Sequence, residues 1–461
     1  MPTQIFETRL PSSPDELFDW HTRPGALQRL SPPWESIVVE TSAPVENGSR
    51  VQLRLKKGPF RFRCYAEHQD VVPGRGFTDV MSAMPFSRWI HRRDFEPAGT
   101  STLLRDRIEY DLAGGRLGSL VAGRQLRRDI SRAFAFRHDT LSRDLTRHSQ
   151  FADRQRNRVA ITGSGGLVGS SLLPFLTTGG HEVVRLVRRP SEQSDTALWQ
   201  PTSGLASPEA LGRLDALVHL AGENIAAGRW TKERKERIRA SRIEGTRNLI
   251  RSLERMKEPP RTLLCASAIG YYGSRGEELL TEDSPAGEGF LARVCEDWEK
   301  AARAAERLGT RVVLLRFGVI LTPGGGALAK MLPPFKLGAG GRLGNGRQYM
   351  SWVSIDDAVG AIHHALMDES IAGAVNVVAP QAATNHDFTR ALARVLGRPT
   401  LFPVPAAAAR LAFGEMADEM LLSSTRVRPE KLEKAGFTFN DVDLEPTLAR
   451  LLGRIPVTDA E

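Results

Sequence analysis

Cysteine is scarce in this chain. There are three, Cys64, Cys265 and Cys295. They are too few for a disulfide framework and too widely spaced for a CxxC metal site. A reducing, cytoplasmic compartment is the expectation that follows. Long apolar runs are missing as well. No stretch approaches the roughly 18 residues that cross a bilayer, so no membrane span is expected. The first twenty residues hold no basic stretch ahead of an apolar core, so no secretory leader is expected. Tyrosine is sparse too. Of Tyr65, Tyr110, Tyr271, Tyr272 and Tyr349, none is followed four residues later by lysine.

Lysine is absent from residues 116–158, where eleven arginines face four aspartates, a local excess of +7 within a net charge of +9. Basic surfaces attract nucleic acid or acidic membranes. No zinc finger, RNA-recognition signature or aromatic–basic interleaving accompanies this stretch. It reads as a solvated helix face, with no nucleic-acid partner expected. A metal site is not expected either. His363 and His364 are adjacent, whereas helical ligation needs spacings such as i, i+4.

What is present divides into segments. In residues 1–150, alternating stretches such as TQIFETRL, RVQLRLK and TLLRDRIEYDL are separated by turn clusters. SSPDELFDW has the Ser cap, early Pro and early acids of a helix start. Leu126, Ile130, Phe134, Leu141 and Leu145 fall on one face of a long helix. This element order resembles the START-like helix-grip superfamily, which includes polyketide cyclases and hydrophobic-ligand carriers. The resemblance implies an α+β domain with a site for an apolar ligand. Residues 151–157 read as a linker. From 158 to about 400, short apolar runs (RVAIT, EVVRLVR, ALVHLAG, TLLCASA, RVVLLRFG, AVNVVA) alternate with helical stretches. That is the pattern of βαβ units in a doubly wound parallel sheet, an α/β Rossmann-type fold. Residues 401–455 form a small helical C-terminal domain.

RVAITGSGGLVGSSLLPFL sets Gly163, Gly166 and Gly169 between a buried strand and a helix. One glycine permits the tight turn, one lets a pyrophosphate approach the backbone, and one allows helix–strand packing. The amides of Gly163, Ser164, Gly165, Gly166, Leu167, Val168 and Gly169 then form a diphosphate cradle at a helix N-terminus. The next strand ends in Arg188 and Arg189, where an NAD enzyme carries an acid for the ribose hydroxyl. Guanidinium groups suit a 2′-phosphate, so NADP is expected rather than NAD. Leu220, Ala221 and Gly222 end the strand expected to pass the adenine ribose.

In their order, TGSGGLVG, HLAGENIAAGRWT, SAIGYYG, LLRFGVIL and WVSIDDAVGAI resemble the extended short-chain dehydrogenase/reductases. GRWTKERKERIRASRIEGT, VCEDWE and GEMADEMLLSSTRVRPEKLEKAGFTF resemble one atypical, sugar-epimerase-like branch of that family. The similarity covers about 158–455, and the tail resembles that branch's C-terminal domain of undefined function. The resemblance implies an NADP-dependent oxidoreductase or epimerase-like protein acting on a small molecule. It also implies a Tyr–x–x–x–Lys dyad that this chain lacks. Matching through Glu299 puts Leu291 and Cys295 on the dyad positions, and Arg242 stands where the family often has asparagine. Ser267 falls one place from the expected serine, Ala268 on it.

Two readings stay open. In one, a displaced acid serves: Tyr271 or Tyr272 on the loop past the sheet edge, or Cys295 as a thiol near the nicotinamide. In the other, the protein is a catalytically inactive NADP-binding sensor. Arg316 either binds an anionic substrate or is structural. Arg347, Gln348 and Trp352 are expected near the substrate, and GVILTPGGG as a mobile loop. Asp356 and Asp357 are expected to cap the following helix. Substrate, reaction direction and oligomeric state stay open.

Overall fold

The computed structural model describes residues 2–41, 43–57, 60–83, 86–112 and 115–455. The chain separates into two compact units, one built mainly on Met1–Arg154 and the other on Gln155–Leu173 with His181–Leu451.

The first unit contains β1 (Thr3–Leu10), α1 (Pro14–Thr22), α2 (Ala26–Arg29), β2 (Ser36–Thr41), β3 (Arg50–Lys57), β4 (Phe60–Val72), β5 (Gly76–Ala83), β6 (Phe86–Ala98), β7 (Ser101–Leu112) and α3 (Gly115–Ser149). Ser13 caps α1, its hydroxyl accepting from the Glu16 amide, with Pro14 at the first helical position. The seven strands form one antiparallel sheet in the order β1-β7-β6-β5-β4-β3-β2. Alternation along β7 buries Leu104, Ile108 and Tyr110 on one face. The α3 stripe of Ile130, Phe134, Leu141 and Leu145 is buried with them.

The gripped face is not wholly apolar. Register sets His68 opposite Asp79, Asp79 opposite His91, and Arg93 opposite Asp106. Asp106 accepts from His91 Nε2 at 2.6 Å and, from α3, His138 Nε2 at 2.7 Å. An ionised carboxylate only accepts, so both rings carry their proton on Nε2. Asp79 accepts from His68 and Arg93, each at 2.6 Å. Burial, then the Arg93 charge, pushes both His91 and His21 down to about 4.

The second unit contains β8 (Arg158–Thr162), α4 (Gly169–Thr178), β9 (Glu182–Val187), β10 (Thr196–Gln200), β11 (Gly204–Leu205), β12 (Ala216–His219), α5 (Lys232–Leu253), β13 (Thr262–Ala268), β14 (Leu279–Leu280) and α6 (Phe290–Arg303). It continues with β15 (Arg311–Phe317), β16 (Val319–Leu321), α7 (Gly326–Lys336), β17 (Tyr349–Met350), β18 (Trp352–Ser354), α8 (Ile355–Met367) and β19 (Gly373–Val377). It ends with β20 (Ala383–Thr384), α9 (Asn385–Leu396), α10 (Ala406–Phe413), β21 (Arg426–Val427), α11 (Glu430–Lys434) and α12 (Leu444–Leu451). The eight-stranded sheet runs β11-β10-β9-β8-β12-β13-β15-β19, parallel except for β11. The six apolar runs form β8, β9, β12, β13, β15 and β19 of this sheet and are mostly buried. Strand order reverses between β8 and β12, which opens a crevice at their carboxyl ends.

The residues after 401 are woven into this unit. β14 pairs with β21, and the Thr425 amide donates to the Tyr349 carbonyl at 3.1 Å. Ser354 caps α8, its hydroxyl accepting from the Asp357 amide. The expected caps, Asp356 and Asp357, sit in the first turn and do other work. Asp357 accepts from the Asn440 and Asp441 amides at 3.0 and 2.9 Å, and Asp356 accepts from Arg450 at 2.8 Å. Among the described residues no helix is long and apolar enough to cross a membrane.

The neutral histidines set a pH dependence. Unfolded histidine titrates near 6.5. Below that pH the unfolded chain binds protons that folded His21 and His91 refuse until about 4, so stability falls as pH drops. Each ring contributes about 1.4 kcal/mol per pH unit in that window. Urea midpoints of the full chain should decline steadily from pH 7 to 4.5, less steeply in His21→Phe. A flat wild-type profile would contradict this.

Candidate functional site

The glycine loop leaves β8 at the crevice. Gly163 has φ +71°, and a Cβ there would lie 2.9 Å from the Leu220 carbonyl carbon. A Cβ on Gly169 would come within 2.3 Å of the Gly163 oxygen. The Gly166 amide closes the turn onto that oxygen at 2.9 Å. Gly165 and Gly166 are exposed, and a Cβ on Gly165 would meet nothing within 4 Å. The turn is therefore tight on its inner side and open on its outer side, where a diphosphate can reach the amides. Leu167 packs toward the run after β16: a Cβ on Gly325 would approach its Cδ1 to 2.7 Å. Arg188 and Arg189 are exposed at the end of β9, and neither guanidinium has a partner among the described residues. These residues fit a phosphorylated dinucleotide.

A buried polar chain, not anticipated from the sequence, fixes this loop to its neighbours. The Thr162 hydroxyl accepts from the Leu220 and Ala221 amides at 3.1 and 3.2 Å. Its own proton therefore goes to His219 Nδ1, 2.7 Å away. Burial pushes His219 down to about 4, so the ring is neutral and its Nε2 donates to the Thr246 hydroxyl at 3.0 Å. Trp298 of α6 donates to the same hydroxyl at 3.0 Å. The signal was there to read: a threonine and a histidine each end an otherwise apolar strand.

The helix that lacks the dyad is tied by ions instead. Glu299 of α6 accepts both arms of Arg316, at 2.8 and 2.9 Å, and the Ser267 hydroxyl at 2.7 Å. Arg316 also donates to the Tyr272 hydroxyl at 2.8 Å, and that hydroxyl donates to Asn376 at 2.7 Å. The Arg316 guanidinium lies 3.5 Å from the Tyr271 ring centroid. Glu299, Arg316, Ser267 and Tyr272 are all buried.

Several expectations change as a result. The fork of Arg316, read from the sequence as either a substrate anchor or a structural group, is filled by Glu299. Tyr272 stands past the sheet edge as expected, but faces the core, where burial raises its hydroxyl to about 12. Cys295 does occupy α6 beside Gly270, yet burial pushes its thiol up to about 11, the opposite of a reactive thiolate. Ser267 is committed to Glu299. Of the four candidate catalytic residues Tyr271, Tyr272, Ser267 and Cys295, Tyr271 alone is half-buried. Arg242 brings a cation to the same region: a Cβ on Gly222 would lie 3.3 Å from its Cζ, and it covers the Trp298 ring at 5.2 Å. Among the described residues its Nη1 donates to the carbonyls of Glu223 and Ile238.

Arg347 lines a cavity of about 420 Å³ with Arg342, Glu277, Tyr349 and His386. Neither guanidinium has a carboxylate partner among the described residues. Gln348 is tied to the carbonyls of Leu343 and Leu421, both at 3.2 Å. Trp352 is buried and lines a different cavity. All three cysteines are free and buried. Among the described residues no group of three His, Cys, Asp or Glu side chains is placed to hold a metal ion.

Comparison with known proteins matches residues 159–378 to the NAD dependent epimerase/dehydratase family. Residues 10–136 match the family of polyketide cyclase / dehydrase and lipid transport, and residues 404–451 a domain of unknown function. An epimerase family protein of Mycobacterium bovis is 46% identical over 282 residues, covering 61% of this chain and 93% of the relative. YfhF of Bacillus subtilis is 40% identical over 298 residues, covering 64% and 97%. Among solved structures, the nucleoside-diphosphate sugar epimerase of Corynebacterium glutamicum is 32% identical with TM-score 0.80, covering 99% of this chain and 91% of that one. Human SDR39U1, solved with NADPH, is 34% identical with TM-score 0.59, covering 64% and 99%.

Removing one partner of the buried ion pair isolates its role. Glu299→Gln leaves the Arg316 charge buried without a carboxylate and should destabilise the fold by about 3–5 kcal/mol. Glu299→Leu combined with Arg316→Met should recover much of that loss, as read by urea denaturation. A Glu299→Gln variant as stable as wild type would mean that the pair does not hold α6 to β15.

Proposed function

Because the chain belongs to the NAD dependent epimerase/dehydratase family, we propose that it is an NADP(H)-dependent oxidoreductase or epimerase-like enzyme acting on a small molecule with an anionic end. The carrying observation is the cradle at the sheet's switch point, tight within and open without, next to two unpartnered arginines. Residues Gly163–Gly169 hold the diphosphate through backbone amides. Arg188 and Arg189 pair with the 2′-phosphate, and Leu220–Gly222 lie along the adenine ribose. NADPH bound to human SDR39U1 supports this choice of dinucleotide.

When bound, the nicotinamide supplies or takes a hydride. The chain must then move a proton at the substrate oxygen. Tyr271 is our choice for that proton, since Tyr272, Ser267 and Cys295 are buried and bonded or raised. Arg242, beside Gly222, brings the positive charge that neither Leu291 nor Cys295 carries. Arg342 and Arg347 receive the anionic end of the substrate. For the N-terminal unit we read a small-ligand carrier, supported by its family match.

The committed state of the dyad region favours a second reading, a sensor that binds the dinucleotide without turnover. Fluorescence titration with NADPH and NADH, then assay on a carbonyl panel, separates the two. Tight NADPH binding with no turnover on any substrate selects the sensor, and loss of turnover in Tyr271→Phe selects the enzyme. Arg188→Asp should weaken NADPH about 10–100-fold while leaving NADH within about threefold. An unchanged preference removes the 2′-phosphate assignment.

A further inference from the structure

We infer that the cavity behind Trp352 binds a small zwitterion of the α-amino-acid class. It lies between α9 and the start of α12, holds about 250 Å³, and shares no residue with the glycine cradle or the arginine cavity. The inference therefore goes beyond the proposed oxidoreductase function and gives the C-terminal segment a role of its own.

Three observations point to the ligand. First, Trp352 is 1% exposed, and its indole N–H has no hydrogen-bond partner among the described residues. A buried donor without an acceptor is costly, and this one belongs to a side chain that lines a cavity. Elsewhere in the same unit the indoles of Trp230 and Trp298 are paired, to the Ile225 carbonyl and the Thr246 hydroxyl; that of Trp199 is buried without a partner among the described residues, but Trp199 does not line this cavity. The Trp352 ring thus offers one donor to whatever enters. Second, charge gathers on the same lining. Arg394 of α9 holds Glu445 of α12 through Nε at 2.9 Å and Nη2 at 2.6 Å, and Asp387 stands about two helical turns before Arg394 on the same helix. One cation and two carboxylates leave an excess of one negative charge. Third, Ala382, Ala383, Ala391 and Leu444 make the rest of the wall small and apolar.

No singly charged molecule answers all three. A bare carboxylate satisfies the indole and Arg394 but enters against a net negative lining. A bare amine satisfies Glu445 and Asp387 but leaves the indole unpaired. A carboxylate and an ammonium on one carbon match both, with the carboxylate toward Trp352 and Arg394 and the ammonium toward Glu445 and Asp387. The ion pair between Arg394 and Glu445 is half-exposed and weak, so a zwitterion can open it at small expense. The volume and the alanines limit the side chain to a short aliphatic one.

The test uses the full chain labelled with ¹⁵N-tryptophan, which shows seven indole signals. The Trp352 signal is the one absent in Trp352→Phe. L-valine should move it saturably, while isobutyrate and isobutylamine, each carrying one of the two charges, should bind at least about tenfold more weakly. By calorimetry, Trp352→Phe and Glu445→Gln should each weaken L-valine about tenfold. Glu445 is half-exposed, so its variant keeps the test valid even where Trp352→Phe fails to fold. NADPH affinity should be unchanged in Glu445→Gln, which separates failure of this site from failure of the cofactor reading. The inference is overturned if the Trp352 signal does not move, if isobutyrate binds as tightly as L-valine, or if a valine-soaked crystal shows only water against the indole.

Discussion

The hydroxyl of Thr162 ties together the two central strands of the second unit. It stops β8 at the point where the chain must turn, takes two amides from the end of β12, and hands its proton to His219. Gly163 can then lie in left-handed backbone against Leu220, which only a residue without Cβ tolerates. The imidazole and Thr246 carry the connection into α5, and Trp298 carries it into α6. Two central strands and two helices are thus pinned around one buried, uncharged chain of donors and acceptors. Every member is paired, so the low dielectric around it strengthens the chain.

A second constraint follows on the same helix. α6 faces the site with Leu291 and Cys295 where a proton relay would stand, and one turn further on it presents Glu299 to Arg316. That pair draws in the buried hydroxyls of Ser267 and Tyr272. Tyr271, half-buried, lies against the Arg316 guanidinium, and Arg242 donates to the Glu223 and Ile238 carbonyls.

The first unit shows the same economy in another fold. A sheet gripped by a helix needs an apolar face, and β7 and α3 provide one. Across β4, β5, β6 and β7 the register nonetheless brings two aspartates, an arginine and two histidines into line beneath it, and α3 adds His138. Each carboxylate is shared between two cationic or imidazole donors, which is the condition for keeping it buried.

Period and punctuation were legible before any coordinates. Alternation marked the antiparallel strands, continuous Val/Leu/Ile runs the parallel ones, and three glycines the turn between β8 and α4. Those features are local, because backbone geometry repeats every two or 3.6 residues and a missing Cβ acts at its own position. Side-chain meetings across the chain were not legible. Glu299 and Arg316 are 17 residues apart, Thr162 and His219 are 57 apart, and Trp352 and Glu445, which line one cavity, are 445 − 352 = 93 apart. Sequence pattern says that a polar residue is buried; only the packing of helices on the sheet decides which partner it finds. So the sequence by itself determined the two folds and the dinucleotide loop. The tertiary structure decided that Tyr272, Ser267, Cys295 and Arg316 are interior groups, since hydroxyls, thiols and guanidinium groups read alike until their neighbours are fixed.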